Sequence, residues 1–210
     1  MNFILKYSFL FLSMLLIRNC SKTQLSLSAA DYVSWIEDEQ NGLCPSKKIG
    51  QLQFDLQFKP LAYIVLKDNA GTKISAAEMK KQTAAISDMQ YFTFRVSSEK
   101  GGDLLRSDAM EMAEFSNRLA YFSSGMQKDI KLLEGKDTLS CLLFHFERSY
   151  GIDPRSTFLL GFPLGKKDGP GGISATDKIF LFDDHELGAG PVMLAIQARQ
   201  ISMLPTLNLE

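Results

Sequence analysis

GQLQFDLQFKP, residues 50–60, repeats with a period of two: Leu52, Phe54, Leu56 and Phe58 alternate with Gln51, Gln53, Asp55, Gln57 and Lys59. Successive side chains of an extended chain point to opposite faces, so this segment is expected to be a half-buried antiparallel strand with one apolar and one wet face. Pro60 has no backbone N–H and interrupts the ladder. Leu61 to Leu66 is expected to continue as a short second strand.

Upstream, Ser28 is a plausible N-cap for a helix over Ala29 to Gln40, with Tyr32, Val33 and Ile36 on one face, broadened by Trp35, and Glu37, Asp38 and Glu39 facing water. Asn41-Gly42 ends it. Downstream, Ser75 to Asp88 is Ala-rich and helix-like, Gln90 to Ser97 is a strand built on Phe92, Phe94 and Val96, and a helix is expected over Ser107 to Ser123. Lys128 to Leu133 leads through Glu134-Gly135-Lys136-Asp137 into Thr138 to Arg148, the pattern of a hairpin. Ser156 to Phe162, Lys178 to Phe182 and Val192 to Ala198 complete the strands, and GKKDGPGG, residues 165–172, reads as a loop. About eight strands and three helices result, without the regular strand–helix alternation of a parallel sheet. The expected fold is therefore α+β, with a mainly antiparallel sheet curled on itself or stacked as a sandwich. No linker divides residues 28–210, which read as a single domain.

Fifteen Phe, six Tyr and one Trp can fill much of its core. The net charge is −1, and no basic run is interleaved with aromatics. The sequence thus gives no support to nucleic-acid binding.

The N-terminus differs from the rest. After Lys6, Tyr7 to Ile17 reads YSFLFLSMLLI, without a charge. That is too short for a bilayer span of roughly 20 residues and fits the apolar centre of a signal peptide, roughly 7–15 residues long. Ile17, Arg18 and Asn19 do not form the small-residue site of ordinary cleavage, and Cys20 follows them. The pattern resembles a bacterial lipoprotein signal, in which the cysteine is acylated. Ile17 suits the aliphatic position; Arg18 and Asn19 depart from the usual pattern. Residues 1–19 are expected to be the signal peptide, Cys20 the lipidated residue and residues 20–27 a polar tether. Cys20 to Glu210 would carry a formal charge of about −3. For Cys44 and Cys141 the reading favours two separate buried thiols, because Cys141 lies in an apolar strand; a Cys44–Cys141 disulfide is the alternative, as envelope proteins can keep one. Their spacing suits no zinc site.

Two clusters carry possible chemistry. In CLLFHFER, period-two alternation puts Cys141, Leu143, His145 and Glu147 on one face, so His145 and Glu147 are candidates for acid–base catalysis. In DDHE, Asp183, Asp184, His185 and Glu186 are candidate metal ligands, though without the spacing of an EF-hand loop. A solvated turn is the competing reading. Tyr150 and Phe158, beside Arg148 and Arg155, suggest a ligand-facing rim or a packing cluster at a strand end. Neither GxSxG nor a phosphate-binding GxxxxGK[ST] occurs.

YVSWIEDEQNGL, LQFDLQFKP, YFSSGMQKDI and LLFHFERSYGIDPRSTFLLGF together resemble envelope lipoproteins of Bacteroidota-type bacteria. The resemblance implies an envelope location and no particular activity, and it carries over no site residue. In such bacteria an acidic stretch after the cysteine accompanies surface display, whereas here Ser-Lys-Thr-Gln follows. The expectation is an outer-membrane lipoprotein facing the periplasm, held by lipid on Cys20. It would work without a cofactor as a binding or assembly module for an envelope protein or ligand. The alternatives are a hydrolase, metal-dependent or acid–base, using His145, Glu147, Asp183, Asp184 and His185, and a purely structural envelope lipoprotein. The balance leans away from an enzyme.

Overall fold

The computed structural model describes residues 25–106, 111–150, 152–165, 174 and 176–209. The signal peptide, Cys20, most of the tether, the first residues of the helix expected from Ser107 and most of the loop at 165–172 lie outside the described residues. The alternating segment forms β3 (Leu52–Lys59), paired antiparallel with β2 (Ser46–Ile49) and β4 (Met89–Ser98). Phe54, Leu56 and Phe58 are at most 1% exposed, so one face of β3 is core.

β8 (Ser156–Pro163) and β7 (Leu143–Glu147) extend this sheet in the order β2-β3-β4-β8-β7, antiparallel throughout. A second antiparallel sheet has the order β10-β9-β5-β6, formed by β5 (Ile130–Glu134), β6 (Asp137–Ser140), β9 (Lys178–Asp184) and β10 (Gly190–Ile196). The sheets meet through phenylalanines. Phe94 of β4 stands 4.8 Å from Phe180 and 5.6 Å from Phe182, ring centre to ring centre, and Phe54 stands 6.2 Å from Phe94. Such pairs add about 0.5–1.5 kcal/mol each beyond their area burial.

The fold is α+β and mostly antiparallel, as expected, but richer in helix. Five α-helices are described rather than about three: α1 (Ala29–Glu37), α2 (Leu61–Asp68), α3 (Ala76–Ala85), α4 (Met112–Ser123) and the short α5 (Ala198–Ser202). Ser28 caps α1, its hydroxyl accepting from the Asp31 N–H. The chain after α1 turns through a 3-10 segment, Glu39–Asn41, and Gly42 closes it at φ +74°. That left-handed φ strains any side chain but glycine, and a Cβ at Gly42 would also push the end of the Gln200 side chain aside.

Two expectations are corrected. Leu61 to Leu66 is helix α2, not a strand. Pro60 ends the β3 ladder at φ −56°, a value compatible with a helix start, and its carbonyl accepts from the Ile64 N–H. Thr138 to Arg148 is not one strand. β6 pairs with β5 in one sheet and β7 pairs with β8 in the other, with Cys141-Leu142 crossing between them. The Leu142 N–H donates to Gly161 O at 2.8 Å and Gln127 Nε2 to Cys141 O at 3.0 Å, which satisfies the crossing backbone.

α4 presents Phe122 to Phe146 and Phe158, with ring centres 5.6 and 5.5 Å away. Ser26 and Leu27, expected as the end of the tether, instead form β1 (Ser26–Leu27), which runs parallel to β11 (Thr206–Leu207).

Candidate binding cleft

The wet face of the five-stranded sheet is ordered by its register. One row across it reads Asp55, Arg95, Thr157 and Glu147; the next reads Gln57, Thr93, Leu159 and His145. Lys59 and Tyr91 begin the third. The alternation that sends Phe54, Phe94 and Phe158 inward sends these side chains to the opposite face.

A cleft of about 400 Å³ lies over this face, lined among others by Asp55, Gln57, Lys59 and Arg95, with Glu37 and Tyr63 from the helices. The helices are tied to the sheet by a relay. Gln57 Nε2 donates to Tyr63 Oη at 3.3 Å, Tyr63 Oη donates to Glu37 Oε1 at 2.7 Å, and Lys67 Nζ donates to the same oxygen at 3.0 Å. Gln57 thus joins β3 through α2 to α1. Pro60 makes this possible by turning the chain into α2 directly after β3.

Burial alone would raise the Glu37 carboxyl. Hydrogen bonds from Tyr63 and Lys67, with the charges of Lys67 and Arg95, outweigh burial and hold it below the usual carboxylate range. Burial and the bond to Glu37 push the Tyr63 phenol up to about 12. Burial pushes the Cys44 thiol, also in the cleft, up to about 11, and its Sγ lies 3.5 Å from Ile36 O. A thiol so held stays protonated and is a poor nucleophile. Lys59 is lowered by burial and by the neighbouring charge of Arg95. Neither Arg95 nor Lys59 makes a hydrogen bond or ion pair with a described side chain, whereas Lys67 is engaged by Glu37 and Arg155 by Asp153 at 2.9 Å. The groups assembled here hold charge and donate hydrogen bonds; they are not arranged as a nucleophile beside a base.

The candidates read from the sequence are dispersed. His145 and Glu147 do share the wet face, on edge strand β7, and Glu147 lines a smaller cleft of about 140 Å³ with Phe146, Arg148 and Tyr150. Asp183, Asp184, His185 and Glu186 belong to the other sheet and the turn after β9. Asp183 Oδ2 is 3.4 Å from His185 Nε2, both exposed. Buried Asp184 accepts from the N–H groups of Glu186, Leu187 and Ala189, so its carboxylate builds the turn. Glu186 pairs with Arg118 at 3.2 Å. No group of three or more His, Cys, Asp or Glu able to hold a metal occurs among the described residues. The two halves of the expected hydrolase constellation lie on different sheets, His145 and Glu147 on β7 and Asp183 and Asp184 on β9 with His185 in the turn after it. Cys44 and Cys141 are both free thiols, the latter buried with Sγ 3.0 Å from Leu143 O. The proposed rim also divides, with Phe158 in the core and Arg148 over the exposed Tyr150 ring at 4.7 Å.

Sequence reasoning read Asp55, Gln57 and Lys59 only as a solvated face and did not single out Arg95. The usable signal was the lone charge in YFTFRVSS at a polar position of the alternation.

No protein-family model matches the chain, and no curated protein does. Among solved structures, a novel protein of unknown function from Burkholderia pseudomallei is similar over 85% of this chain and 93% of that one, at 14% identity and a TM-score of 0.37.

Proposed function

We propose that the protein is a lipid-anchored envelope lipoprotein whose domain binds a ligand or partner group in the cleft on the wet face of the five-stranded sheet. The observation that carries the binding reading is the pair Arg95 and Lys59, held in a lined cleft without a hydrogen bond or ion pair to a described side chain, while Lys67 and Arg155 beside them are paired. Cations left without a partner in a recess are poised for an incoming ligand. The anchor rests on the sequence: an apolar run, then Cys20, then only a few polar residues before β1. Two or more acyl chains, at about 0.8 kcal/mol per buried CH₂, suffice for stable attachment. Ser-Lys-Thr-Gln after Cys20 favours the periplasmic side of the outer membrane. No helix among the described residues is long and apolar enough to cross a membrane.

The binding reading is tested by melting the full chain with the small-molecule fraction of its host's envelope, wild type against Arg95→Met. A stabilisation seen in the wild type and lost in the variant supports the cleft. Equal stabilisation of both proteins removes it.

A further inference from the structure

We infer that the cleft recognises a carboxylate, with Arg95 and Lys59 as its two cations. This rests on the binding reading above and names its ligand class. Two placements converge on it. Arg95 projects from central strand β4 on the wet face, in register with Asp55, and its planar fork finds no acceptor among the described residues. Lys59 stands on the same face two register rows away. The row between them is Gln57 and Thr93.

The remaining charges choose among anions. Glu37, Glu39 and Asp55 also line the cleft. Glu37 is matched by Lys67 and Tyr63, which leaves Asp55 and Glu39 to face any incoming negative charge. A phosphate dianion would be repelled by both. A carboxylate carries one charge over two oxygens and suits the guanidinium fork, with the compact ammonium on the same face. The carboxylate can come from a peptide end or from a small acid, so the probes separate the two.

The test is calorimetric titration of the detergent-solubilised full chain with acetyl-trialanine as the free acid, the same peptide as its C-terminal amide, succinate, methylammonium and inorganic phosphate, at constant ionic strength. The expected result is saturable binding of at least one carboxylate probe, with phosphate weaker. If the peptide acid binds, its amide is expected to be about tenfold weaker or worse. Preference for the peptide acid over succinate assigns the site to a chain end, and the reverse preference assigns it to a small acid. Arg95→Met and Lys59→Met should each lose about tenfold or more. Carboxylate binding unchanged in both variants would overturn the assignment, as would tighter binding of phosphate. Saturable, Arg95-dependent binding of the amide or methylammonium, with none of the acids, overturns the carboxylate and leaves the cleft standing. Absence of saturable binding by every probe overturns both.

Discussion

Lys178 and Glu134 face each other across the β5–β9 ladder on its inward side, their side chains 1% and 2% exposed, and they form an ion pair. Gln90 of the opposite sheet joins them, its Nε2 donating to Glu134 at 3.4 Å and to Pro163 O at 2.9 Å. At this depth, removing one charge costs more than the pair contributes, because the other stays desolvated. Glu134→Ala should therefore cost about 3–5 kcal/mol in urea unfolding, while the double replacement Glu134→Leu with Lys178→Met should be near neutral or stabilising. A single variant as stable as the wild type would show that the pair is hydrated. Gly165 belongs to the same arrangement: a Cβ there would run into the Glu134 carboxylate, so Gly165→Ala should destabilise as well.

Among the elements, the relay from Gln57 through Tyr63 and Glu37 to Lys67 determines how firmly α1 and α2 wall the cleft. Tyr63→Phe removes its central hydroxyl and should cost about 1 kcal/mol. Glu37 gives the relay a pH dependence. Its folded-state pKa is lowered, so its contribution is present above the unfolded carboxylate value, about 4.3, and is lost as pH falls through the folded value. The stability gap between wild type and Glu37→Gln should accordingly close below about pH 4. A gap that widens on acidification would contradict the lowered value. This relay was not legible in the sequence, because Glu37 and Tyr63 are 26 residues apart and meet only once α2 is known to be a helix. Leu61 to Leu66 is a short apolar run, which periodicity alone assigns equally to strand or helix; the fixed φ of Pro60 decided it. The hairpin at Gly135 was legible because its turn is local. The division of Thr138 to Arg148 between two sheets was not, since both halves alternate alike. β3 and β4 were legible for the simplest reason: the core face of β3 is Leu52, Phe54, Leu56 and Phe58, and that of β4 is centred on Phe92, Phe94 and Val96. Their wet faces spelled out Asp55, Gln57, Lys59 and Arg95, but only the register makes neighbours of them.

On the scale of the whole molecule, the chain is closed near its two ends. β1 and β11 pair in parallel, with Thr206 N donating to Leu25 O at 2.8 Å and Asn208 N to Leu27 O at 2.7 Å. Leu204, 4% exposed, is buried in the core just before β11. Ending the chain after Met203 should therefore lower the unfolding midpoint and expose the N-terminal segment to protease; a truncated chain of unchanged stability would make this pairing incidental. The same pairing bears on the anchor. Cys20 lies six residues before β1, so a lipid there would hold a folded body on a short leash fixed at its first strand. Anchoring and folding are then separable. In the native host, Cys20→Ser should move the protein from the membrane to the soluble fraction while leaving its melting temperature and cleft binding unchanged, because residue 20 precedes the first strand. Intact mass should show wild-type protein starting at Cys20 with acyl mass, and no acyl mass on the variant. Retention of Cys20→Ser in the membrane, or an unacylated wild-type mass, would remove the lipid anchor and leave the apolar segment Tyr7 to Ile17 to explain the attachment.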